Sequence, residues 1–370
     1  MVAVVSLKDI KQFTKQALEK GATLQDIRVA LQEKGWPQKV IEHVLNTFRS
    51  GAKPLLQLKN VSKHFGKEVV LNCVTLDIYA GEIFAVIGVS GCGKTTLLNT
   101  LVGFVEPDEG GVTLNIDAEP TYEVEKFIPN PNAIKSLFGF STQSPSFYEN
   151  LTVEENLEYF ASLYGLKGEE IQKNKNSLLK LLGLEGSKDK FGSDLSRGMQ
   201  KRLDIGCALI HNPKILILDE PTADLDPFLR GEMWALVQEI NKTGTTIVLT
   251  SHFLSELESF CDRLAVLYNH AIVAIGTPLE LKKYYTNNYE IHFQIVSHQY
   301  EPLLAKLKQQ KELGITKMHI ERHKAVLYTL YPQQTLQALI MLINKSKQQL
   351  LDIDVNRPSI QEIFETMLKR

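Results

Sequence analysis

The sequence has little cysteine, a small net charge and no long apolar run. Its four cysteines, Cys73, Cys92, Cys207 and Cys261, lie far apart and form no CxxC pair. That spacing excludes a disulfide framework or a zinc ribbon and suits a reducing compartment. No window approaches the roughly 18–20 apolar residues that span a bilayer, so any membrane role calls for a separate membrane subunit. The apolar start, Met1 to Val5, is shorter than a secretory leader. The formal net charge of −2 is small because opposite regions cancel. Residues 1–50 carry 8 Lys/Arg against 5 Asp/Glu, residues 277–370 carry 13 against 9, and the middle is left at −9. An acidic centre is a poor footprint for nucleic acid, so no nucleic-acid partner is expected. Basic flanks read as solvated faces or as contacts to an anionic membrane surface.

The chain has 370 residues, 44% of them hydrophobic, enough to bury more than one core. Residues 1–50 read as a small three-helix module. Ser6 to Asp9 and Thr23 to Asp26 are capping boxes, Gly21 and Gly35 sit where helices stop, and Pro37 opens a third helix. The module resembles those of the ubiquitin-associated type. Ser50 to Pro54 reads as a linker. Residues 55–276 alternate strand-like and helix-like segments, the pattern of an α/β domain. Residues 288–370 change character. Strands are expected over 289–296, 317–321, 325–331 and 350–355, with helices over 301–313 and 333–347. That order, βαββαβ, predicts a ferredoxin-like α+β domain. A last helix is expected from Ser359.

Chemistry concentrates in the middle segment. Gly88-Val-Ser90-Gly91-Cys92-Gly93-Lys94-Thr95 fits GxxxxGK[ST]. A buried strand (Ile83 to Ile87) precedes it, and a helix from Thr96 to Leu101 follows. Such a loop turns successive N–H groups onto one anion and ends at the positive pole of a helix. The pattern makes the loop a phosphate cradle. Lys94 would reach the β- and γ-phosphates of ATP, and Thr95 would place a hydroxyl on Mg²⁺. Downstream, the apolar strand Ile215 to Leu218 stops at Asp219 and Glu220. Carboxylates ending a buried strand are costly unless they meet a metal or polar site. Asp219 fits the acid that supports Mg²⁺, and Glu220 is placed to orient and deprotonate a water.

Five further segments resemble the motifs of the ABC ATPases, in that family's order. Leu195-Ser196-Arg197-Gly198-Met199-Gln200 is similar to the ABC signature and stands with Ser196 23 residues before Asp219. It opens a helix, where Ser196 and the N–H of Gly198 would bind a γ-phosphate in the manner of helix N-termini. Gln143, in Phe140 to Pro145, resembles the Q-loop residue that senses metal and water and faces the membrane subunit. His252, after the strand Thr246 to Thr250, resembles the switch histidine. Ala223 to Pro227, with Asp226, resembles the D-loop at the dimer interface. Phe65 precedes Gly88 by 23 residues and resembles the aromatic that stacks on adenine. Arg197 and Met199 depart from the commoner glycine and glutamine. Cys92 replaces a frequent serine and raises the expectation of a redox-sensitive site.

The resemblance implies a homodimer, or a pair with a paralogous ATPase, in which the P-loop of one subunit and the signature of the other sandwich each ATP. It also implies an ABC permease as membrane partner, and a protein peripheral to the inner face of the cell membrane. The stretch 144–165 and the segment from Pro358 to Phe364 are similar to drug- and lipid-exporting ATPases of the daunorubicin or sodium-export type. Export of a drug, lipid or ion is therefore expected. An importer ATPase with a C-terminal regulatory domain and a soluble ABC ATPase are the alternatives.

Overall fold

The computed structural model describes residues 13–14, 17, 24–34, 36, 41, 53–115, 122–123, 136–252, 254–285, 289–321 and 323–356. These fall into two compact units that divide between Ile275 and Gly276. Most of the expected N-terminal module, including the first capping box and the helix at Pro37, lies outside the described residues. So do the last helix from Ser359 and most of the linker.

In the first unit, α1 (Leu24–Glu33) buries Ile27 and Leu31, four residues apart on one face. Its Arg28 is also buried and reaches the body of the unit. Arg28 Nη2 lies 2.6 Å from Asp262 Oδ1, and Nη1 donates to Asn241 Oδ1 at 3.4 Å.

The chain then runs β1 (Leu56–Phe65), β2 (Glu68–Ile78), β3 (Ile83–Ile87), α2 (Lys94–Leu101), β4 (Glu109–Leu114), β5 (Tyr122–Glu123) and β6 (Phe138–Ser141). Next come α3 (Val153–Leu163), α4 (Gly168–Leu182), α5 (Arg197–Leu209), β7 (Ile215–Leu218), α6 (Pro227–Lys242) and β8 (Thr246–Ser251). The unit closes with α7 (Leu254–Phe260), β9 (Arg263–Tyr268) and the start of β10 (Ala271–Gly276).

The central sheet has the order β10-β9-β3-β8-β7-β6. Its pairs β9/β3, β3/β8, β8/β7 and β7/β6 are parallel. Every residue of β3, β7 and β8 is buried. Continuous apolar strands of this kind suit a parallel sheet covered on both faces. A second sheet, β2-β1-β4-β5, is antiparallel. The α/β alternation read from the sequence does not distinguish it. Its inward residues Leu56, Leu58, Val61, Leu71, Val74 and Leu76 share one core with β3 and α2.

The helical part is closed by side-chain contacts. Thr152 and Glu155 form a capping box on α3, with bonds of 3.1 and 2.8 Å. Asn156, fully buried, ties the turn before α3 together through the carbonyls of Tyr148, Leu151 and Thr152.

The second unit runs α8 (Pro278–Tyr285), β11 (Tyr289–Ile295), α9 (Glu301–Gln309), β12 (Ile315–Glu321), β13 (Lys324–Thr329), α10 (Pro332–Lys345) and β14 (Leu350–Asn356). Its sheet order is β12-β13-β11-β14, antiparallel throughout. Ile291, Phe293 and Ile295 alternate inward and pack with Leu303, Leu307, Leu339 and Ile343 from α9 and α10.

Candidate functional site

Four parallel strands end side by side, and the chemistry sits just beyond their carboxyl ends. After β3 comes the loop 88–93, after β7 come Asp219 and Glu220, after β8 comes His252, and after β6 comes Gln143. Ligands bind at this edge of open parallel sheets.

The loop is shaped by backbone constraints. Gly93 has φ of +106°, and a Cβ there would approach the Val70 carbonyl oxygen to 2.6 Å. A Cβ on Gly88 would meet both Cys92 Sγ and the Leu267 carbonyl oxygen at 2.5 Å. Only glycine fits either position. Gly91, also left-handed, faces open space. Gly93 caps α2 without a side-chain bond, so the first N–H groups of that helix remain available to an anion. Ser90 is exposed and Thr96 half-buried on the same curve of chain.

Lys94 is buried, and its ammonium curls back over the loop. It donates to the carbonyl oxygens of Gly88 and Val89 at 3.0 and 3.2 Å and lies 3.7 Å from Glu220 Oε1. Thr95 Oγ1 donates to Asp219 Oδ2 at 2.8 Å. Thr250 Oγ1 donates to Asp219 Oδ1 at 2.5 Å and accepts the Glu220 N–H at 2.9 Å. Glu220 has φ of +49°, an uncommon conformation for a residue with a Cβ. That backbone turns its carboxylate onto His252, whose Nδ1 lies 2.8 Å from Oε2. Strain of this kind persists where the surroundings over-determine it, here two strands and a hydroxyl.

A cavity of about 370 Å³ opens beside Glu220 and is lined by Gln143, Arg197, Gln200, Lys201 and Asp224. Burial pulls the Lys201 ammonium below its usual range, and the carboxylates of Asp204 and Asp219 oppose that shift.

Ser196 caps α5 by accepting the Met199 N–H at 3.4 Å. Gly198 lies against Leu229, where a Cβ would come within 3.3 Å. Asp226 caps α6, accepting from Phe228 and Leu229 N–H at 2.9 and 3.0 Å. Phe65 is 53% exposed at the end of β1, with the Lys63 ammonium 5.7 Å from its ring centre.

Lys94, Thr95, Asp219, Glu220 and His252 thus form one connected cluster, and Gln143 shares a cavity with Glu220. Sequence reasoning missed Thr250, which holds both acids, and Lys201. A threonine ending a strand and a lysine on an amphipathic helix carry no local signal.

The Cys92 thiol is buried beneath Gly88, and desolvation raises its pKa against the lowering effect of Lys94. A buried, protonated thiol is unreactive. This argues against the redox-sensitive site expected from the sequence. Its N–H donates to the Val89 carbonyl at 3.3 Å, so Cys92 braces the loop.

Mg²⁺ prefers hard oxygen ligands, one or two carboxylates completed by phosphate and water. Thr95 and Asp219 supply one hydroxyl and one carboxylate in contact, next to the phosphate loop, and so fit that ion.

Residues 71–223 match the ABC transporter family. The linearmycin resistance ATP-binding protein LnrL of Bacillus subtilis is 29% identical over 317 residues, covering 85% of this chain and 99% of that protein. The Nod factor export ATP-binding protein I of Rhizobium sp. strain N33 is 36% identical over 227 residues, covering 61% of this chain and 72% of that one. The solved ATP-binding subunit of an ABC transporter is 31% identical, with a TM-score of 0.55 over 62% of this chain and 93% of its own. A dimeric ATP-binding cassette in a post-hydrolysis state with ADP and Pi is 29% identical, with a TM-score of 0.53 over 60% of this chain and 98% of its own. The chain belongs to the ATP-binding, ATP-hydrolysing proteins of the ABC transporter family, and its relatives are of the export type.

Proposed function

We propose that this protein drives export of a drug, lipid or ion by closing as an ATP-bound dimer against a separate permease. The observation that carries this is the cluster at the strand ends, where Lys94, Thr95, Asp219, Glu220 and His252 converge on one phosphate loop. Lys94 and the N–H groups of 91–96 hold the phosphates of ATP. Phe65, exposed at a strand end, is free to lie against the adenine. Thr95, Asp219 and Gln143 would hold Mg²⁺, which supplies charge neutralisation at the leaving phosphate. Glu220 accepts the proton of the attacking water, and His252 holds the Glu220 carboxylate in place.

Ser196, Gly198 and Asp226 belong to helix starts that face a second subunit, either another copy or a paralogous ATPase. The dimeric post-hydrolysis relative supports that pairing. Tyr148, Tyr159, Leu163 and Phe191 are large exposed apolar side chains around α3. Such a patch suits docking of a permease segment. Among the described residues no helix is long and apolar enough to cross a membrane. Membership of the transporter family supports a peripheral place beside the permease, at the cytoplasmic face.

We read residues 1–50 as a helical module, 55–276 as the ATPase domain and 288–370 as an accessory α+β domain. The strand order β12-β13-β11-β14, with two helices on one face, supports a ferredoxin-like assignment for the last.

Pull-down of the tagged protein from detergent-solubilised native membranes, followed by mass spectrometry, tests this reading. A stoichiometric multi-span permease is the expected companion. A periplasmic-type binding protein in the complex would turn the reading to import, and soluble companions alone would remove transport.

A further inference from the structure

Asp204 sits in the middle of α5, fully buried, and takes no part in the cluster around Lys94. Burying a carboxylate is costly, and a packed apolar side chain would serve mere packing as well. Three donors converge on it. Oδ2 accepts from Ser141 Oγ at 2.5 Å, and Oδ1 accepts from both the N–H and the Oγ of Ser146 at 2.7 Å. One turn earlier on the same helix face, Lys201 donates to the Thr142 carbonyl at 2.7 Å and lies 3.9 Å from Asp204 Oδ2.

These contacts bracket Gln143. Ser141 and Thr142 are held on one side of it and Ser146 on the other, all by one helix. Gln143 stays exposed between them and lines the cavity with Glu220 and Lys201. The Ser141 carbonyl also accepts the Asp219 N–H at 2.9 Å, so the segment begins against the acid strand. At its other end α5 starts at Ser196.

We propose that Asp204, helped by Lys201, is a positioning residue that clamps residues 141–146 to α5 and so fixes where Gln143 points. The helix that begins at Ser196 and the loop that carries Gln143 then move as one body. A shift of α5 on engaging a second subunit would carry Gln143 toward or away from Glu220. The inference rests on the role given to Gln143 above. It goes further in naming what sets that residue's position.

The test is a double-mutant cycle in the full-length protein with Gln143→Ala, Asp204→Ala and the pair. Asp204→Ala should lower kcat about tenfold with KM for ATP within about twofold, the size seen when a supporting partner is lost. The pair should be no slower than Gln143→Ala, because both changes remove the same function. Hydrogen exchange without nucleotide gives an independent readout. Amides of 141–146 should exchange about tenfold faster in Asp204→Ala, with β7 and β8 unchanged. Asp204→Asn keeps an acceptor for Ser146 and should recover most of the turnover.

Additive losses in the cycle would overturn the clamp, and so would wild-type turnover and exchange in Asp204→Ala. Wild-type turnover in Gln143→Ala is a separate result, which would remove the role of Gln143 itself and the inference with it. Should Asp204→Ala fail to fold, Ser146→Ala takes its place in the same cycle. It deletes one hydroxyl on an exposed residue and should give a smaller loss that is still absorbed by Gln143→Ala.

Discussion

His252 Nδ1 lies 2.8 Å from Glu220 Oε2, and the two residues come from neighbouring strand ends 32 positions apart. The imidazole fixes one carboxylate oxygen. The other, Oε1, lies 3.7 Å from the Lys94 ammonium. Glu220→Gln keeps an oxygen for His252 and nearly the same shape but removes the proposed base. Turnover should fall by about 10²–10⁴, with ATP affinity retained. His252→Ala leaves the base and loosens it, so its loss should be smaller. Steady-state ATPase rates beside equilibrium binding of a fluorescent ATP analogue check both, and wild-type turnover in Glu220→Gln would take the base role from that residue.

Cys92 carries the next prediction. Its thiol is buried and its pKa raised, whereas Cys73 is exposed. A thiol-blocking reagent applied to the folded protein should label Cys73 and leave ATPase activity unchanged. Mass spectrometry of the labelled protein identifies the site. Rapid labelling of Cys92 with loss of ATP binding would show that the loop opens enough to expose it.

The phosphate loop was legible because its constraint is local. Gly88, Gly93 and Lys94 lie within seven positions, and each is there for a backbone or charge reason that a short pattern records. Asp219 and Glu220 were legible because acids end an apolar run. Thr250 was not, since its role exists only once β7 and β8 lie side by side. Asp204 was hidden likewise, because its three donors come from a loop about sixty residues earlier. The second unit could be read from the alternation of Ile291, Phe293 and Ile295. Its boundaries moved slightly. The strand expected to reach Tyr331 stops at Thr329, because Pro332 opens α10 and the Leu330 N–H turns to the Gly314 carbonyl. The antiparallel sheet was missed because its strands pair across long insertions rather than through tight hairpins alone.

His211 supplies a pH dependence. It stacks on Tyr164 at 3.5 Å, and its Nε2 lies 3.1 Å from the Phe138 carbonyl oxygen. Burial lowers its pKa to about 4, against the opposing pull of that carbonyl. Above about pH 6.5 both the folded and the unfolded chain hold it neutral, and it costs nothing. Between about 6.5 and 4 the unfolded chain takes up a proton that the folded chain refuses. Stability therefore falls as pH falls through that window and levels off below it. The half-buried ring limits the effect to about 1–2 kcal/mol. Urea unfolding at pH 7.5 and 5 should show a smaller drop in His211→Asn than in the parent, and an equal drop would remove His211 from the account.

Arg28 joins α1 to the edge of the sheet remote from the nucleotide loop. Its guanidinium meets Asp262, which stands just before β9, and Asn241. Asp262 Oδ2 meanwhile accepts the Ile83 N–H at 2.9 Å, at the start of β3. Asp262 and Ile83 stand at the amino ends of β9 and β3, and the carboxyl end of β3 leads into the loop 88–93. Arg28→Ala would leave the Asp262 carboxylate buried without its guanidinium, a loss of about 3–5 kcal/mol when a buried pair is broken from one side. The affinity for ATP should be unchanged, because Lys94 and the loop stand at the opposite edge. Removing residues 1–50 deletes the same contact. The truncation should therefore lower the urea midpoint at least as far as Arg28→Ala does. Urea midpoints of the three proteins, read beside nucleotide affinity, separate an anchor of this kind from a regulator. If Arg28→Ala weakened ATP binding about as much as it weakened the fold, the contact would be coupled to the site and not merely to the edge of the sheet.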